Sequence, residues 1–453
     1  MKANRLWSLW QGILLSFSMG FTQRGQQRFV EWATGLALNI EEHTITQSLI
    51  GLDRVDDWKA LESFAESGSW NIRLLQWRLT RQLDKMPNRS WHGYRVWAGD
   101  DTKVHRCSPN VWGTCTFHEY TARCPNRAET VRAHNWVVIG ALLPNGGQPA
   151  DFLPTAGRLY FRQSQLPCVL GNSGPQVIFR TKCELLVELG RGHANACSGK
   201  TLGVFDGGFA MRSVVRPLVK PDDSKQPRID ILTRLRHDAR LHLPAPTTRK
   251  PGQRGAMPKW GKQLPPPRQG GRWPGKWQKG QAFIYGRVRT VEYKELLCLW
   301  RVLGHEVPVR AVVAKVEGYS KRFTLVTSAI DLSGLQMVEM FCARFRQEDG
   351  FRDLKQRLGW EECRAWTRNP IERTTQTMLM TLTALRVLQF ELQSQVGDEW
   401  WLHPPWNKHK TRPSVRDVER LLWEHRAGIQ QCLADWLDKE EMIATSRRQP
   451  HGM

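Results

Sequence analysis

Five residues in the stretch FCARFRQEDGFRDLKQ, 341 to 356, have types and spacing suited to work on a phosphate. On a helix turning about 100° per residue, Phe341, Arg344, Glu348, Arg352 and Lys355 share one stripe roughly 80° wide. A carboxylate flanked by three cations suits a hard metal ion with anionic oxygens gripped beside it. An exposed helix carries the same pattern for a plainer reason, because an i,i+4 pair such as Arg344 with Glu348 adds roughly a few tenths of a kcal/mol. The choice turns on whether other carboxylates join Glu348.

Two acids are placed to do so: Asp101 in WAGDDTK and Asp206 in GVFDGG, each expected at the end of a buried strand. The C-terminal edge of such strands is where a sheet presents ligands to a crevice. Three carboxylates around two divalent cations roughly 4 Å apart suit phosphoryl transfer, one ion activating the attacking oxygen and the other stabilising the leaving oxygen. Oxygen-only ligands favour Mg²⁺ or Mn²⁺. The plainer alternative makes both aspartates turn or cap residues. His105, Cys107, Cys115, His118 and Cys124 have the atoms for zinc, but seven and eight residues separate successive cysteines, which fits no common finger or ribbon.

The elements that must position these acids are legible in the pattern. Residues 1 to 88 read as helices, with apolar residues at i, i+3, i+4 in QQRFVEWATGLALNI and DDWKALESFAESGSWNIRLLQWRLTRQL. From residue 89 to 243 strands take over: YRVWAGDD alternates, WVVIGALL and TLGVFDGG are continuously apolar, and PRIDILTRL is a further strand. PQVIFRTKCELLVELGRG between them reads as a helix, so the unit is an α/β sheet covered on both faces.

Residues 244 to 281 hold nine Lys or Arg and no acid, with Trp260, Trp273 and Trp277 among them. Their Pro and Gly content reads as a flexible linker or, because cations and rings suit phosphates and unpaired bases, a strand-binding arm. Three β-strands complete the segment to 336, the 341 stripe follows within 337–396, and a helical segment occupies 397–453.

Composition narrows the partner. With 66 Lys plus Arg against 43 Asp plus Glu, the net charge of +23 attracts polyanions, nucleic acid first. The ten cysteines include no C-x-x-C pair, which points to reduced thiols in the cytoplasm. The apolar run near the N-terminus is broken by Ser8, Gln11, Gly12 and Ser16 and reads as a helix of the folded protein, and no segment is apolar enough to span a membrane.

The order of these motifs resembles the DDE transposases of bacterial insertion sequences, in the branch whose third acid lies in a Y-R-E-K signature: Tyr, two residues, Arg, three, Glu, six, Lys. Arg344, Glu348 and Lys355 match it, with Phe341 at the tyrosine position. The family's first acid directly precedes a threonine, as Asp101 does in Asp100-Asp101-Thr102, and its second closes a short apolar strand, as in VFDGG. Alternation along a strand sends Asp100 and Asp101 to opposite faces, and the match to the threonine selects Asp101.

The resemblance covers about residues 90 to 396. It implies a ribonuclease H-like mixed sheet with flanking helices, a β-rich insertion before the last catalytic helix, and an N-terminal all-α DNA-binding domain. Asp101, Asp206 and Glu348 would bind Mg²⁺ or Mn²⁺, while Arg344, Lys355, Arg352 and Phe341 would contact DNA. Relatives hold a flipped base on an aromatic residue of the insertion, a role open to Trp300 or Tyr319. The implied activity is cleavage at the inverted-repeat ends of an element and joining of the freed 3′-OH to target DNA, by a homodimer or larger synaptic assembly near the nucleoid. The alternatives are an inactive descendant serving as a DNA-binding repressor and a nuclease that cuts without joining.

Overall fold

The computed structural model describes residues 2–87, 89–119, 130–145, 148–166, 177–249, 254–408 and 410–446. Four helices lead: α1 (Ala3–Phe17), α2 (Gln23–Leu38), α3 (Trp58–Ser67) and α4 (Ile72–Asp84). The interrupted N-terminal run forms α1, burying Leu6, Trp7, Trp10, Leu14 and Phe17. Thr22 starts α2 by accepting from the Gly25 N–H. Among the described residues no helix is long and apolar enough to cross a membrane.

The chain then enters one twelve-stranded mixed sheet. Its first strands are β1 (Ser90–Trp91), β2 (Tyr94–His105), β3 (Cys115–His118), β4 (Thr130–Asn145) and β5 (Gln148–Tyr160). Helix α5 (Lys182–Ala196), opened by a Thr181/Glu184 capping box, leads to β6 (Thr201–Phe205). Helix α6 (Arg212–Val219) leads to β7 (Ile229–Arg234) and β8 (Leu241–His242). Strands β9 (Gln278–Ile284), β10 (Arg287–Trp300), β11 (Pro308–Val316) and β12 (Phe323–Thr327) follow. The spatial order is β3-β4-β2-β6-β7-β12-β11-β10-β8, with β5 on β4 and β9 on β10. β4 runs antiparallel to β2, β6 and β7 run parallel to it, and β12 joins β7 antiparallel. The β-rich insertion is therefore a lateral extension of the sheet that carries the acids.

Successive residues of β2 feed two different cores. Val96 and Ala98 join Leu202, Val204, Met337 and Val338 on one face, whereas Trp97 joins Leu186, Leu189 and Leu218 on the other. The Trp97 ring lies so close over Gly190 and Gly203 that a Cβ would meet it at 2.8 and 2.5 Å. Only glycine admits the ring at both places.

Helices α7 (Gly334–Ala343), α8 (Arg346–Gln356), α9 (Arg368–Val396), α10 (Val415–Glu424) and α11 (Arg426–Ser446) complete the fold. α9 is buried along most of its length, and three of its threonines find carbonyls: Thr377 and Thr381 donate four residues back, and Thr383 donates to Pro154 O at 2.6 Å. The N-terminal helices share one apolar core with α9, α10 and the early part of α11, so residues 1–88 are built into the main body rather than standing apart.

One acid of this helical layer bears on stability. Burial pushes the Glu419 carboxyl up to about 7 from an ordinary 4.5; Arg357, 3.3 Å away, opposes the rise and Asp353 adds to it. A raised carboxylate contributes stability below its unfolded value and loses it as pH climbs through the folded one. Glu419→Gln should remove that dependence. Urea unfolding at pH 5 and pH 8 should show the variant gaining on the wild type at the higher pH by on the order of 1–3 kcal/mol. An equal difference at both pH values would contradict this.

Candidate functional site

Strand parity selects the aspartates. Ala98 of β2 pairs with Val204 of β6, and both point into the core under α7. Two residues further along, Asp100 of β2 and Asp206, just past the end of β6, continue on that side, close enough for their charges to interact. Asp101 points the other way, toward the start of α5, where Lys182 Nζ donates to its Oδ2 at 2.6 Å. The structure thus places Asp100, not Asp101, beside Asp206. The expectation drawn from the threonine match conflicts with the alternation set by Trp97 and Gly99. Both aspartates lie inside β2 rather than at its end, because the strand runs on to His105.

Burial pushes the Asp100 carboxyl up to about 7, with Arg344 opposing the rise and Asp206 and Asp101 adding to it. Asp206 follows directly on β6. Its side chain accepts from Gly208 N at 2.8 Å and its carbonyl from Thr233 Oγ1 at 2.9 Å, so it caps a turn as well as facing Asp100.

The third acid arrives on a broken helix. The five-residue stripe assumed one continuous helix, but α7 ends at Ala343 and α8 begins at Arg346. Across the joint the N–H groups of Arg344, Phe345, Gln347 and Glu348 bond three residues back, the tighter 3₁₀ pattern. Tertiary contacts hold the break: buried Gln347 Nε2 donates to Val138 O at 3.0 Å, and Gly350 packs on the Phe152 ring.

The stripe divides accordingly. Arg344 Nη1 donates to Asp100 Oδ2 at 2.9 Å, and its Nη2 stands 3.8 Å from Glu348 Oε1. Arg352 instead pairs with Asp349 at 2.8 Å, and Lys355 donates to Lys103 O and lies 3.5 Å from Glu361. Phe341 stacks on Phe323 with the Arg344 guanidinium over its ring.

The aromatic expectations also divide. Trp300 is 2% exposed in the core beneath β10 and offers no face to a ligand. Tyr319 is exposed and packs 5.7 Å from Tyr285, which lies 5.7 Å edge-on to Phe345. Tyr285 and Phe345, both exposed, are residues that sequence reasoning missed. The signal was the turn Tyr285-Gly286 between two alternating strands, which places its side chain at a hairpin tip.

Beside Asp206 opens a groove of about 1390 Å³, lined by Arg234, Arg236, His237, Arg268, Arg272, Lys315, Lys321, Arg322 and Arg344. Asp206 is the one carboxylate in that lining. Arg268 and Arg272 come from the Pro/Gly/Trp segment, which is docked on the sheet around Pro267–Trp273. Trp273 is buried with Nε1 donating to Pro265 O at 2.7 Å, and buried Lys294 donates to Gly271 O and Trp273 O. Trp277 lies between the Lys294 and Arg322 cations.

Three carboxylates are the donor set that Mg²⁺ or Mn²⁺ takes. Asp206 lies close enough to Asp100 to push its carboxyl upward, and that repulsion is what a cation relieves. Glu348 is half exposed and separated from Asp100 by Arg344. In this arrangement no group of three or more His, Cys, Asp or Glu side chains among the described residues is gathered closely enough to hold a metal. In the possible zinc set, His105 lies near Glu119 and Glu361, Cys115 is buried, and Cys124 lies outside the described residues. No protein-family model matches the sequence, and no curated protein matches it significantly.

Proposed function

We propose that the chain is a DDE-type DNA transposase built on a ribonuclease H-like core, acting on the ends of a bacterial insertion element. The observation that carries this reading is the pair Asp100 and Asp206, side by side on one sheet face, with Glu348 joined to them through Arg344 at the edge of a cationic groove. The mixed sheet, with β4 antiparallel and β6 and β7 parallel to the acid-bearing strand, supports the core assignment.

In this reading Asp100, Asp206 and Glu348 hold Mg²⁺ or Mn²⁺, which supplies charge stabilisation for an in-line displacement at phosphorus. The groove cations bind the backbone phosphates and hold the scissile one in line. Tyr285, Tyr319 and Phe345 offer rings on which an unpaired base stacks. Synapsis of two element ends calls for a homodimer or larger assembly, working in the cytoplasm at the nucleoid. A second reading, a DNA-binding repressor whose acids are permanently neutralised by Arg344, draws on the same bridge.

The deciding experiment incubates purified protein with the element's terminal DNA and Mg²⁺ and resolves products on a sequencing gel. Chelator-sensitive nicks with free 3′-OH ends, followed by joined products, support the proposal. Binding without cleavage supports the repressor, and cleavage without joining a nuclease. Replacing exposed Arg234 or Arg268 with Ala should lower the slope of log affinity against log salt by about one unit each. Unchanged slopes in both would remove the groove from the binding surface.

A further inference from the structure

We propose that Arg344 is a latch: it keeps the carboxylates from taking a divalent cation until a DNA phosphate draws it away, so metal and DNA binding strengthen one another. This inference rests on the metal-dependent reading above. The guanidinium stands between two of the three acids, 2.9 Å from Asp100 and 3.8 Å from Glu348. While it does so, a cation entering there meets a fixed positive charge in place of an open pair of ligands.

The same side chain lines the groove, so an incoming phosphate offers its Nη groups an alternative anion without requiring them to cross the protein. Its Nε is buried with no partner, so the contact with the acids leaves part of its donor capacity unused. A phosphate accepting from both Nε and an Nη satisfies the fork better than the present arrangement. The residue also sits at the joint between α7 and α8, where the backbone is already wound differently from either helix. Re-aiming it unwinds neither one. Coupling of this kind is reciprocal: whatever factor DNA adds to metal affinity, metal adds to DNA affinity.

The test measures Mn²⁺ binding to the full chain from the free-ion EPR signal, alone and with a mixed-sequence duplex oligonucleotide at low salt, with a DNA-only blank subtracted. Wild type alone should bind weakly and gain about tenfold or more with duplex. Arg344→Gln alone should bind about as tightly as the wild-type complex and gain less than about twofold from duplex. Arg344→Ala should behave likewise, with circular dichroism confirming that each variant is folded. If both unfold, the wild-type comparison with and without duplex decides. Equal Mn²⁺ affinity in wild type and Arg344→Gln, or wild-type affinity indifferent to duplex, overturns the latch. The metal reading survives that result if Asp206→Asn loses the ion. No bound Mn²⁺ in any form overturns both.

Discussion

Asp100→Asn should abolish DNA cleavage, while Asp101→Asn should leave most of it. Asp100 shares a sheet face with Asp206 and touches Arg344, so its carboxylate belongs to the proposed metal site. Losing a ligand removes several kcal/mol of transition-state charge stabilisation, roughly a thousandfold in rate. Asp206→Asn and Glu348→Gln should fall as far. Asp101 sits on the opposite face in a part-exposed pair with Lys182, and such pairs add under about 1 kcal/mol to folding. Gel-resolved cleavage and filter binding should therefore show three inactive variants that still bind DNA and one that does both. An inactive Asp101→Asn beside an active Asp100→Asn would reverse the assignment.

Trp273→Ala should cost both stability and DNA binding, although the buried ring itself faces no groove. Its ring is 2% exposed, and a buried Trp→Ala change costs about 3–5 kcal/mol. The residue also anchors the segment that brings Arg268 and Arg272 to the groove, through its bond to Pro265 O and the Lys294 bonds to Gly271 O and Trp273 O. The variant should unfold at lower denaturant, be cut by trypsin at Arg268 or Arg272, and bind DNA with a shallower salt dependence. Wild-type tryptic resistance in the variant would mean that the segment is held elsewhere.

Much of this arrangement is written locally and some of it is not. The helices of the first 88 residues and the strands around Asp100, Asp206 and the insertion follow from apolar period alone. The choice between neighbouring aspartates was also legible, since Trp97 and Gly99 mark the face that Asp101 shares. β5 was not. Pro154 and Gly157 interrupt its pattern, which an edge position pairing only with β4 tolerates. Nor was the break at Arg344 and Phe345, because both residues suit a helix and the cause lies in Val138 and Phe152, some two hundred positions away. The docking of 264–277 was hidden for the same reason: composition shows an irregular segment, but its buried cation, Lys294, comes from a later strand.

The shared helical core sets a schedule for synthesis. Arg5 bonds Gln395 at 3.0 Å, Asn4 accepts from Cys432 Sγ at 3.3 Å, and the Ala3 side chain abuts Gly428. α1 therefore meets α2 and α4 soon after it is made, with Trp10 Nε1 donating to Thr34 Oγ1, but its partners on α9 and α11 lie some 390 residues further along the chain. At about 5–20 residues per second that is a wait of roughly 20 to 90 seconds before the shared core around Trp7 and Leu14 is closed by α9 and α11. During that interval the nascent chain presents a basic, aromatic, unfinished surface. Burial of that surface is complete only when the distant end of the core arrives.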